Sequence, residues 1–240
     1  MRILAFDSAA SHCSAAVVTS ETVLGEVSSA DTETHSRHLM ERIHQVLSDC
    51  RLCLSEIDGF AVTHGPGSFT GLRIGLSTAK GLAVAAGKPV VTISTLDVLA
   101  FQAREAGILI SPMLDARKGE VYFSRCRFTT GSLIREMKES VGEPETAVAG
   151  IQEPCIFIGE GASRYREKIL ELKGDIAHFP ESEDHAIRAS ALGQLGLAAL
   201  RQNQMADPSL IIPLYIRGVE VRKVSGNFGI PKMNARLKKD

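Results

Sequence analysis

The feature that most constrains this chain is an order of elements that it runs through twice. Alternating and buried apolar runs at residues 2–7, 13–19 and 22–28 read as three strands. A helical pattern follows from residue 35 or 36, with Leu39, Met40, Ile43, Val46 and Leu47 on one face. Then come a buried strand at 59–63, a helix running to about residue 86, a strand at 89–93 and a helix at 95–106. The same succession returns: strands at 108–115, 120–128 and 133–139, a short proline-led helix at 144–151, a strand at 155–159, a helix at 164–172, a strand at 176–179 and a helix at 189–202. Each half predicts a mixed sheet covered by helices.

Two such halves facing each other describe the α/β architecture called actin-like, or sugar-kinase-like and ribonuclease-H-like. Residues 1–106 are expected to form one subdomain, 107–212 the second, and 213–240 a tail. The tail carries seven basic residues against Glu220 and Asp240, giving +5 in a chain whose net charge is −1. It has the makings of a weak phosphate-binding arm, or of a solvated extension. No apolar run approaches the ~18 residues that a membrane span needs, and the opening run is too short for a signal peptide. The chain is therefore expected to stay in the cytoplasm. Five cysteines without framework spacing fit that compartment. Cys50 and Cys53 form a lone Cys-x-x-Cys at the end of a helical pattern, where no helix N-terminus would activate a thiol.

In actin-like ATPases, hairpins after the opening strand of each half hold nucleotide phosphates. Here those strands end in Asp7-Ser8-Ala9 and in Asp115-Ala116-Arg117. An aspartate at a strand's carboxyl end can hold hydrated magnesium, and it also simply ends strands well. Ala9 stands where a glycine would let the backbone approach phosphate, so Asp7, Ser8 and Asp115 are expected to form a degenerate nucleotide pocket. His35 and His38 share a helix face, but no third metal ligand is evident, and no metal is expected.

The segment from His64 to Arg73, HGPGSFTGLR, lies between a buried strand and a helix. It lacks the Gly-Lys-Ser/Thr of a P-loop and the flanking glycines of a nucleophile elbow. What remains is a tight turn at Pro66-Gly67 and a helix capped by Ser68 or Thr70. Gly71, Gly75 and Ala79 then fall four apart, flanked by Leu72, Leu76 and Ala83. Such a strip of small residues lets a neighbour approach closely, either within the chain or from a partner. With Leu39, Ile43 and Val46 of the first helix, it is expected to form an apolar partner interface.

These residues together resemble the TsaB (YeaZ) family. The match is carried by Ile3–Ser8 with Cys13–Val17, by His35-Ser36, and most specifically by Gly65–Leu76 with Ala79–Ala83. Ser94-Thr95-Leu96, Leu114–Arg117 with Gly119–Tyr122, and Pro213–Arg217 complete it. The resemblance implies an actin-like fold and a non-catalytic subunit that dimerises through its first two helices. It implies TsaD as the catalytic partner and TsaE as a third component. Their complex transfers threonylcarbamoyl to the adenosine beside the anticodon of tRNAs reading codons that begin with A. No cofactor is expected to bind tightly to this chain alone, while ATP or ADP with magnesium is expected in the complex. The catalytic relative's His-x-x-x-His motif has no counterpart in residues 96–105, which hold no histidine. The rival readings are an ATP-dependent kinase-like enzyme of the same fold and an inactive metallopeptidase-like relative.

Overall fold

A computed structural model describes residues 1–29, 35–105, 107–180 and 185–216, without the side chains of residues 35–37. The first half contains β1 (Ile3–Asp7), β2 (Cys13–Val18), β3 (Val23–Ser29), α1 (His35–Asp49), β4 (Gly59–Gly65), α2 (Phe69–Ala86), β5 (Val90–Ser94) and α3 (Thr95–Gln102). The second contains β6 (Leu109–Arg117), β7 (Glu120–Thr129), β8 (Ser132–Gly142), α4 (Pro144–Val148), β9 (Cys155–Ile158), α5 (Glu160–Arg164), α6 (Arg166–Lys173), β10 (Ala177–His178) and α7 (Ala189–Arg201). One sheet runs β3-β2-β1-β4-β5 and the other β10-β9-β6-β7-β8. Each has two antiparallel pairings and two parallel ones, so the second sheet repeats the topology of the first. This is the actin-like arrangement.

The pleat distributes the core. Along β1, Ile3 and Ala5 face the middle of the molecule, packed under α7 in a cluster that extends to α3 and to residues of the second sheet such as Ile110 and Leu114. Leu4 and Phe6 face the other way, into a cluster with Leu39, Ile43 and Val46 of α1 and Leu76, Ala79 and Ala83 of α2. A third cluster lies on the outer face of the second sheet, around Met113, Phe123, Phe157 and Ile169.

The structure departs from the sequence expectations at two places. The first concerns the partner interface. Leu39, Ile43, Val46, Leu72, Leu76, Ala79 and Ala83 are each at most 3% exposed, and Gly71 and Gly75 are buried with them. The stripe and the strip pack inside the chain, because the apolar face of β1, β2 and β4 needs two helices to cover it. The second concerns the subdomain boundary. Within 107–212, α7 leaves the second half and packs on the first sheet. A Cβ on its Gly193 would lie 2.5 Å from Val18 Cγ2. Beyond α7 the chain pairs Ala206 with Val90 of β5 and then runs beside the β4–α2 loop, where the Leu214 N–H donates to the His64 carbonyl at 2.7 Å. The tail from residue 217, and the side chain of His35, lie outside the described residues.

Candidate functional site

Antiparallel hairpins and parallel strand ends bring the chemically active residues to the seam between the two halves. The β1–β2 turn, the β4–α2 loop, the β6–β7 turn and the start of α5 enclose a cleft of about 370 Å³. Its wall includes Ser11, Phe69, Asp115, Arg117, Tyr122 and Glu160.

The β4–α2 loop is shaped by its contact with the first hairpin. The Ser68 N–H donates to the Ala9 carbonyl at 2.7 Å, and the Ser68 hydroxyl caps α2 by accepting from the Gly71 N–H at 3.3 Å. Ser68 is thus the cap, and Thr70 is not. A Cβ on Gly67 would stand 2.4 Å from the Ala9 carbonyl oxygen, so the loop can lie here only without a side chain. Beyond it, Arg73 lies 3.7 Å above the Phe69 ring, and its Nε donates to the Tyr215 hydroxyl at 3.2 Å. The Phe69 and Tyr215 rings stand 5.3 Å apart. This group clamps the C-terminal strap to the rim of the cleft.

Of the three residues expected to form a nucleotide pocket, the structure brings only Asp115 to the cleft. Asp7 is fully buried beneath it. Its Oδ1 accepts from the Thr63 hydroxyl and, at 3.2 Å, from the Ala9 N–H, while Oδ2 has no hydrogen-bond partner among the described residues. Burial pushes its pKa up to about 7, against the pull of the Thr63 and Ala9 bonds, and the nearby Glu160 charge pushes the same way. Ser8 is also buried, and its hydroxyl donates back to the Gly71 carbonyl at 2.9 Å. Asp115 is held by its own surroundings. Oδ1 accepts from the Arg117 N–H at 2.9 Å, and Oδ2 lies 3.5 Å from both the Arg117 and Arg164 guanidinium groups.

Glu160 and Arg164 were not legible as site residues from the sequence. Their signal was the repeat itself, since α5 follows β9 as α2 follows β4. Elsewhere, Cys50 is partly buried with its thiol pKa raised by burial, the opposite of an activated thiol. His38 lies 3.3 Å from Glu41, and among the described residues no group of three metal-ligating side chains converges.

The family model described as TsaD, tRNA N6-adenosine threonylcarbamoyltransferase, matches residues 22–222. The tRNA threonylcarbamoyladenosine biosynthesis protein TsaB of Bacillus subtilis is 30% identical over 223 residues, covering 92% of this chain and 96% of the relative. The chain belongs to the TsaB family. The Escherichia coli protein of the same name is 32% identical over 194 residues, 77% of this chain and 84% of its own. Among solved structures, a Pseudomonas aeruginosa protein described as similar to the peptidase YeaZ superposes with a TM-score of 0.76 at 26% identity, covering 90% of this chain and 99% of that one. The Gly65–Leu76 segment of this TsaB-family chain is a packing element. It seats α2 against β4 and the first hairpin.

Proposed function

We propose that this chain is the non-catalytic support subunit of a complex that places threonylcarbamoyl on the adenosine beside the anticodon of tRNA. The observation that carries the reading is membership of the TsaB family along 92% of the chain. The segment corresponding to the catalytic relative's metal motif, now α3, contains no histidine and buries Leu96, Val98 and Leu99 in the core. TsaD is the catalytic partner, TsaE a third component, and the cytoplasm, where tRNA is modified, the compartment. No helix among the described residues is long and apolar enough to cross a membrane.

With the inner faces of α1 and α2 committed to the core, pairing with TsaD or with a second copy falls to their outer faces. Met40 is 46% exposed on α1 and Val84 73% exposed on α2. A Cβ on Gly81 would meet nothing within 4 Å, so a partner helix has room to come close. The experiment is turnover with tRNA, ATP, bicarbonate and threonine, the carbamoyladenylate synthase supplied, with and without TsaD. Product should form only with both proteins. Product formed by this chain without TsaD would sink the reading.

A further inference from the structure

The fold implies a nucleotide between the two hairpins, and the residues present do not fit one. Oε1 of Glu160 accepts from the Ser11 N–H at 3.0 Å and from the Ser11 hydroxyl, and lies 3.7 Å from His12 Nδ1. The backbone donor that would face a phosphate oxygen is therefore bonded to a carboxylate from the other half of the chain, 149 residues away. In the second hairpin a backbone donor is also occupied, here from within, because the Arg117 N–H is bonded to Asp115 as the Ala9 N–H is to Asp7. An incoming phosphate would have to displace one carboxylate and sit beside another. Asp7, the expected magnesium ligand, is sealed under Thr63 and the Ala9 amide.

We propose that Glu160 is a built-in substitute for a nucleotide phosphate. A carboxylate and a phosphate offer a hairpin the same thing, anionic oxygen that accepts from backbone N–H groups. In Glu160 that oxygen is tethered to α5, so it bonds the β1–β2 turn without any association cost. The halves are joined across the cleft by their own side chain, and the isolated chain excludes nucleotide from it. Glu160 acts within the cleft, independently of the partnership with TsaD.

The test follows hydrogen exchange of the hairpin spanning residues 8–12 in the full chain, with and without millimolar pyrophosphate. Wild type should be protected and indifferent to pyrophosphate. Glu160→Ala should exchange about tenfold faster, the worth of one charge-assisted hydrogen bond, and pyrophosphate should restore its protection. Glu160→Gln keeps an acceptor without the charge and should fall between the two. Glu160 is exposed enough at its side chain, 27%, that these variants should fold, and far-UV circular dichroism confirms it. Protection of Glu160→Ala equal to wild type overturns the proposal. So does a wild-type chain protected by pyrophosphate as strongly as the variant. Fast exchange in Glu160→Ala that pyrophosphate leaves untouched makes Glu160 a strut and overturns its role as a phosphate substitute.

Discussion

The carbonyl oxygen of Ser8 lies 1.8 Å from the point where a Cβ on Gly71 would stand, and the Ser8 hydroxyl donates to the Gly71 carbonyl at 2.9 Å. The first turn of α2 and the end of β1 are thus in backbone-to-backbone contact. No rotamer change can relieve that approach, because the obstructing atom is main chain.

Gly71→Ala should therefore cost roughly 3 kcal/mol or more, the upper range for overpacking. Gly81→Ala, in the same helix but facing open space, should gain about 0.5–1 kcal/mol from helix propensity. Urea titration of both variants reads the contrast. A Gly71→Ala chain as stable as wild type would mean that the helix start is seated elsewhere.

Replacing Gly81 with leucine should leave the monomer folded, since nothing lies within 4 Å of its Cβ position, and should block close approach of a partner helix. Sedimentation of Gly81→Leu, alone and mixed with TsaD, should show weaker association than wild type, with a thermal melt no lower than wild type because leucine also favours the helix. Unchanged association places the interface away from the outer face of α2. Gly75→Leu, by contrast, should destabilise the monomer, because a Cβ there stands 2.9 Å from Ser8 Oγ.

Asp7 makes stability depend on pH. Its folded pKa is raised from 3.8 to about 7, so between those values the folded chain binds a proton that the unfolded chain has released. Unfolding free energy contributed by this group is fully present below about pH 4, falls as pH rises through the interval, and levels off above about pH 7. Asp7→Asn should remove the fall. Its stability relative to wild type should rise from pH 5 to pH 8, by an amount on the order of a few kcal/mol. His64, whose pKa burial lowers, contributes the opposite trend, and comparing variant with wild type at each pH cancels it. A constant difference between the two proteins would show that Asp7 ionises normally.

Deleting residues 218–240 should weaken tRNA binding by the complex and flatten its salt dependence. The segment carries six basic residues against Glu220 and Asp240, and each neutralised phosphate contributes to the salt slope. The measurement is tRNA affinity at two salt concentrations for both forms. An unchanged slope makes the tail a solvated extension.

The sequence by itself determined the elements and their order. Short apolar runs such as 3–6 and 15–18 announce strands buried on both faces, helical runs such as 39–47 announce which face must be buried, and the turn and cap within Gly65–Leu76 are local in the chain. Even the Ser68 cap was legible as one of two candidates, because capping is decided within four residues. What covers each face is not written locally. An apolar stripe on α1 has the same pattern whether a sheet or a partner chain buries it, and only the tertiary structure assigned Leu39, Ile43 and Val46 to β1 and β2. The same holds for α7, whose small residues fit close to the first sheet although its place in the sequence suggested the second. Glu160 is the extreme case. Its partner Ser11 lies 149 residues away, and a carboxylate's role depends on which donors the folded chain aims at it, a relationship that exists only once two hairpins and a helix meet at the seam.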